Sequence, residues 1–211
     1  MLKNSTVADE NPWNQIPSFQ GNWVSLVPLE VSHHHGLVEA VKDGELWKLW
    51  YARVPSPDEM QAEIDRRLSL AVNGKMMPFT VIDTLGNIVG MTCYQLLDPM
   101  NRRVEIGHTW YASRVQRTPI NTEAKLKLLT YAFESLDCIS VGFTTSTFNE
   151  TSRKAIERLG AKLDGILRNH SLLRDGLIRD TCYYSIIESE WNAVKRHLHW
   201  KLNNYNDTST I

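Results

Sequence analysis

Ten residues, Gln116-Arg117-Thr118-Pro119-Ile120-Asn121-Thr122-Glu123-Ala124-Lys125, constrain this chain more than any other stretch. They lie between a strand-like run, 104–111, and a helix-like run that continues to Leu136. A strand, a tight polar turn and a helix start together form an anion site. The first backbone N–H groups of a helix have no partner within it, and the helix dipole favours negative charge there. Arg117 places a cation at the mouth. The arrangement suits the pyrophosphate of a nucleotide-like cofactor; a plain polar connection from strand to helix is the alternative.

Hydrophobic periodicity organises the remainder. Residues 1–20 carry Asn-Pro, Pro-Ser and Gln-Gly turns without a period, which predicts an arm. Residues 23–29 alternate as a strand, and Ser32 caps a short helix to Val41. Ser56-Pro57-Asp58-Glu59 is a capping box that opens a helix with Met60, Ile64, Leu68 and Ala71 on one face. Residues 77–82, 88–96 and 103–111 predict a three-stranded meander. A helix follows over 122–136, then a strand over 139–144 and a helix over 152–159 stopped by Gly160. Residues 162–173 and 177–187 form a hairpin about Arg174-Asp175-Gly176, and 188–202 a last helix carrying Trp191, Val194, Leu198 and Leu202 in one stripe. The plan is a mixed α/β domain over 21–202, with a polar tail over 203–211.

Hydrophobic residues make up 42% and charged residues 22%, enough for an ordinary core. The net charge of −1, without a basic run, speaks against a nucleic-acid partner. No apolar stretch approaches the roughly 20 residues of a membrane helix, so no membrane partner is expected. The N-terminus lacks the apolar centre of a signal peptide. Cys93, Cys138 and Cys182 sit in apolar runs and include no C-x-x-C, which fits free thiols in a reducing cytoplasm. Three consecutive histidines, His33-His34-His35, point about 100° apart on a helix and cannot converge on one ion, so no metal is expected.

Gln116-Arg117-Thr118-Pro119-Ile120-Asn121 resembles the acyl-CoA loop of the GNAT N-acetyltransferases, Gln/Arg-x-x-Gly-x-Gly/Ala, with Pro119 and Asn121 in place of the usual small residues. Glu105 to Ala112 upstream, Asn149-Glu150-Thr151-Ser152 and Arg158-Leu159-Gly160-Ala161 downstream, and the hairpin with Arg179-Asp180 and Tyr183-Tyr184 follow in family order. That order resembles the branch of ribosomal-protein N-terminal acetyltransferases. The resemblance implies a central, mostly antiparallel sheet, splayed at the acyl-CoA site and flanked by helices. It also implies acetyl-CoA as cosubstrate and, as acceptor, a small-molecule amine or a peptide N-terminus.

By the same resemblance, Trp110, Tyr111 and Ala112 hold the cofactor arm through backbone groups. Gln116, Arg117, Thr118, Ile120, Asn121 and Thr122 hold its phosphates, and Asn149 flanks it. Ser152 is placed near the sulfur as proton donor; a Tyr acid seven residues after Asn149 is absent, since Ile156 stands there. His170 lies close to where relatives keep a carboxylate, and Glu105 is the second candidate base. Glu105 and His108 have odd spacing and are expected on opposite faces of their strand. Trp47, Trp50 and Tyr51 wall the acceptor side. The alternative to an enzyme is a non-catalytic acyl-CoA sensor or interaction module of the same fold. Trp13 and Trp200 lie off the predicted core stripes, and the branch contains homodimers, so a homodimer is expected.

Overall fold

The computed structural model describes residues 11–173 and 175–205; the expectations that touch residues 1–10, Arg174 and 206–211 lie outside the described residues. The strands are β1 (Phe19–Gln20), β2 (Val24–Pro28), β3 (Met76–Asp83), β4 (Ile88–Asp98), β5 (Arg103–Tyr111), β6 (Ser140–Ser146), β7 (Lys162–Leu172) and β8 (Ile178–Ile187). The α-helices are α1 (His34–Lys42), α2 (Met60–Val72), α3 (Pro119–Glu134), α4 (Glu150–Glu157) and α5 (Glu188–Asn203). All eight strands form one sheet in the order β1-β2-β3-β4-β5-β6-β8-β7. Only β5 and β6 run parallel, and α3 provides the crossover such a pair requires.

Strand alternation divides the core in two. Val24, Phe79, Tyr94, Val104 and Ile106 face α3 and α5, meeting Ala124, Leu128, Leu129, Trp191 and Leu198. Met91 and Trp110 face the other way, onto Leu37 and Val41 of α1 and Met60 and Ile64 of α2. The helices α1 and α2 cover only the β3–β5 half of this second face. Over β6, β8 and β7 the face carries Thr144, Thr181, Tyr183 and Ser185 together with Leu167 and Ile187, and no described helix lies on it.

Two helices start earlier than the sequence suggests. Thr118 caps α3, its hydroxyl accepting from the Ile120 N–H at 3.4 Å, and Pro119 takes the first helical position, where a missing N–H breaks no helical bond. Asn149 caps α4, accepting from the Ser152 N–H at 3.0 Å, so the helix begins at Glu150.

The short strand β1 was not expected. It pairs with β2, and Phe19 packs against the rings of Phe79 and Tyr131 at 5.7 and 5.5 Å. Behind it the Glu123 carboxylate of α3 accepts from three successive backbone N–H groups, Asn22 (2.8 Å), Trp23 (2.6 Å) and Val24 (3.1 Å). Gly21 lets the chain pass: a Cβ there would stand 2.4 Å from Glu123 Oε2. Of the two tryptophans off the core stripes, Trp13 packs against the main core, whereas Trp200 is 63% exposed.

Candidate active site

The sheet opens at its centre. β5 and β6 pair only at Arg103↔Ser140, Val104↔Val141 and Glu105↔Gly142. Beyond Glu105 they part, while β5 runs on to Tyr111 and β6 to Ser146. A bulge accompanies the parting. The β4–β5 register steps from Cys93↔Gly107 to Met91↔Trp110, which inserts one residue into β5, and His108 takes φ 47°. Such an insertion bends its strand. The bulge is fastened from both faces. On one, fully buried Arg67 of α2 donates to the His108 carbonyl at 3.1 Å; on the other, Lys125 of α3 donates to Thr109 Oγ1 at 2.9 Å and to Thr92 Oγ1 at 3.3 Å.

The inserted residue also resets the alternation of β5. Gln95↔Glu105 and Met91↔Trp110 put Glu105 and Trp110 on the α2 face. His108 lies in the field of Arg67, Arg66 and Glu63 of α2 on that same face. The expectation that Glu105 and His108 point oppositely is therefore corrected: odd spacing separates two residues only in an unbroken strand. Burial, then Arg67 and Arg66, push the His108 imidazole down to about 4.

Glu105 stands at the root of the wedge, 5% exposed. Its Oε1 accepts from Thr144 Oγ1 of β6 at 2.7 Å and from the Gln95 amide of β4. Burial raises its pKa, against the opposing effects of Thr144, Gln95 and His170. His170 is exposed on β7, its ring edge-on to Tyr183 at 5.7 Å. Tyr183 lies on the face of Thr144, its cross-strand partner. Its hydroxyl pKa is raised by burial and by Glu105. Glu105, Thr144, His170 and Tyr183 thus gather on the open face. Ser152 lies one turn into α4, beyond the end of β6.

At the other end of the wedge is the start of α3. Among the groups a helix start leaves unpaired, the Thr118 and Asn121 N–H groups have no side-chain partner among the described residues, Ile120 bonds its cap, and Pro119 has none to offer. Arg117 is exposed in the left-handed region at φ 62° and makes no ion pair among the described residues. The Gln116 side chain donates to the Tyr111 carbonyl at 3.0 Å, tying the loop to the end of β5. These groups fit a pyrophosphate: a cation without a partner, and amides at the positive end of a sixteen-residue helix. Thr122 is buried one turn in. Trp110 and Tyr111 bury their side chains in the two cores, and the Ala112 N–H is taken by the Val89 carbonyl at 2.8 Å.

The loop between α1 and α2 arches over the open face. Trp50 meets Phe148 of the β6–α4 loop at 5.3 Å and Tyr51 at 5.5 Å, while Trp47 packs on the α1–α2 core. Arg53 donates to the Leu172 carbonyl of β7 at 2.5 Å. Asp180 accepts from the Asn169 N–H at 2.7 Å and so holds an irregular step of β7. Sequence reasoning passed over Phe148, Tyr183, Arg53 and Arg179 as site residues. Tyr183 had a signal in its period-two relation to Ser185 and Thr181; the other three are brought together only by the fold.

The GNAT acetyltransferase domain model matches residues 24–162. A Bacillus subtilis protein named "Putative ribosomal N-acetyltransferase YdaF" is 38% identical over 110 residues, 52% of this chain and 59% of that protein, so the match spans little more than half of the relative. A GCN5-related N-acetyltransferase from Brucella melitensis superposes with TM-score 0.79 at 28% identity, covering 89% of this chain and 86% of that one. Mycobacterium smegmatis RimJ, solved in complex with CoA-disulfide, superposes with TM-score 0.71 over 83% of this chain and 87% of its own; at 19% identity it shares the fold.

Proposed function

The chain belongs to the GNAT acetyltransferase family, and on that premise we propose that it transfers an acetyl group from acetyl-CoA directly to a primary amine of a small molecule or of a protein N-terminus. The observation that carries this reading is Glu105: a buried carboxyl with a raised pKa at the root of the β5–β6 wedge, in a sheet whose other landmark is the helix start behind Arg117. A base must be near the reacting proton and have an affinity matched to working pH, and burial moves Glu105 in that direction. The YdaF name supports a protein N-terminus as acceptor.

Acetyl-CoA supplies the activated acyl group as a thioester. Arg117 and the N–H groups of Thr118 and Asn121 would bind its phosphates, with Gln116, Ile120 and Thr122 shaping the loop and helix start that present them, while backbone groups of Trp110, Tyr111 and Ala112, together with Asn149, would line its arm. Glu105 takes the amine proton, directly or through one water; His170 is the second candidate for that task. Ser152 holds a proton for the departing thiol, whose pKa of about 8.5 makes a weak donor sufficient. Trp50 and Phe148 shield the acceptor from water.

The test is acetyl-CoA turnover over a panel of amines and N-terminal peptides, with thermal shifts by CoA and by adenosine. Turnover together with a CoA-specific shift is expected. Binding without turnover on any member would favour a sensor, and no CoA shift would remove the cofactor site. The same reading takes the protein as cytoplasmic, in keeping with three buried free cysteines, and as a homodimer, in keeping with exposed Trp200. Light scattering tests the latter: a mass near 24.2 kDa at all concentrations contradicts it.

A further inference from the structure

The open face carries two arginines that the transfer chemistry does not use. Arg179 of β8 and Ser171 of β7 are cross-strand partners and therefore neighbours on one face. Arg179 Nε and Ser171 Oγ are both buried, and neither has a hydrogen-bond partner among the described residues. The nearest polar help for Arg179 is weak, a 3.5 Å approach of Nη2 to Thr181 Oγ1. Arg53 arrives from the α1–α2 loop and is fixed by the carbonyl of Leu172, the residue next to Ser171. No carboxylate pairs with Arg53 or Arg179 among the described residues.

Two guanidiniums brought together without an acid repel each other, and a buried donor without a partner carries its full desolvation cost. The cost is visible in Arg179, whose pKa is lowered by burial and by Arg53. Nor does the arginine pair of α2 leave a spare acid: Arg66 and Arg67 share the single carboxylate of Glu63. On the same face, two same-face steps along β8 from Arg179, Tyr183 adjoins Glu105, the proposed proton acceptor.

We propose that Arg179, Arg53 and Ser171 form a subsite for a carboxylate carried by the acceptor amine. The acceptor would then be an amine with an anionic group a short distance from its nitrogen, either a free amino acid or a peptide with an acidic residue near its N-terminus. A carboxylate accepts from the Arg179 Nε–H edge and from Ser171 Oγ–H together, which satisfies both orphan donors, and its charge offsets the Arg53–Arg179 repulsion. This rests on the acetyltransferase reading for the amine, while the subsite has its own readout.

The experiment compares matched acceptors: peptides with Glu or Gln at the second and third positions, and glutamate and aspartate against their α-amides. Wild-type kcat/KM should favour the acidic member at least tenfold, in the peptide arm or in the amino-acid arm, which identifies the source. Arg179→Gln and, separately, Arg53→Gln should each bring the ratio towards one, with an unfolding temperature that does not fall certifying the fold and Arg179→Lys retaining part of the preference. Acetylation of acidic and amide members at equal kcat/KM overturns the subsite and leaves the transfer reading intact. Should no amine be acetylated, the transfer reading fails, and calorimetric titration of the Glu and Gln peptides decides the subsite. Selective binding of the Glu peptide that is lost in Arg179→Gln supports it; equal binding, or none by either, overturns it.

Discussion

Thr144 Oγ1 donates to Glu105 Oε1 at 2.7 Å, joining β6 to β5 just past their last backbone pair. The bond stabilises the charged carboxylate and so opposes the upward push of burial. Thr144→Val removes it. The Glu105 pKa should rise further, since a bond that favours the charged form is lost. The acid limb of kcat/KM against pH should move to higher pH, because the base form is reached later. An unmoved limb would show that another group sets it.

Lys125 is a buried ammonium held by two threonine hydroxyls and, among the described residues, by no carboxylate. Burial lowers its pKa to about 7 from an ordinary 10.5. Between those values the unfolded chain binds the proton that the folded chain has released, so this group makes stability rise with pH across that window, by at most about 1.4 kcal/mol per unit. Below pH 7 the penalty is fully present. Lys125→Met keeps the Thr92–Thr109 hydroxyl pair, 2.8 Å apart, and should be more stable than wild type at pH 6, with the advantage shrinking towards pH 10. Urea unfolding at several pH values measures it; a difference that does not change with pH would contradict the assignment.

The Glu123 clasp ties the chain entering β2 to α3. Glu123→Ala leaves three backbone N–H groups without their acceptor and should cost about 3–5 kcal/mol. Gly21→Ala forces a methyl group into the same carboxylate and should cost about 1–3 kcal/mol. Both are read by denaturant midpoints, and a loss below about 0.5 kcal/mol in each would show that the clasp is dispensable.

The elements were legible because their signals are local. Met76–Asp83 and Arg103–Tyr111 alternate or run apolar between turn residues, whereas the Ser56–Glu59 capping box forms only by half: Ser56 N and Oγ both donate to Glu59 Oε2, no helix N–H among the described residues is capped by Ser56, and α2 starts at Met60 with Glu59 at its N-cap. The apolar periodicity places the start of α3 at Thr122, whereas the helix begins at Pro119, because Pro fits the first helical turn and Thr118 caps it. The shared face of Glu105 and His108 was not legible, since the bulge arises from the β4–β5 register and from Arg67, 41 residues away from His108. Arg53 and Arg179 come together through β7, and one sequence offers no sign of that meeting.

Arg117, without an ion pair among the described residues at the start of α3, should contribute to CoA binding chiefly as a charge. Arg117→Ala should weaken CoA about tenfold at low salt and less at high salt, with adenosine unaffected. Calorimetry measures it, and an equal loss for adenosine would move Arg117 away from the phosphates.

The central claim is that Glu105 accepts the amine proton. The direct measurement is kcat/KM of Glu105→Gln against wild type on the best acceptor, with unfolding temperature and CoA affinity measured on the same samples. The account predicts a fall of about 10²–10⁴-fold with CoA affinity kept. It also predicts an unfolding temperature at pH 7 that does not drop, because a carboxyl whose pKa is raised by burial opposes folding once ionised. Wild-type kcat/KM and an unchanged pH profile in Glu105→Gln would contradict it.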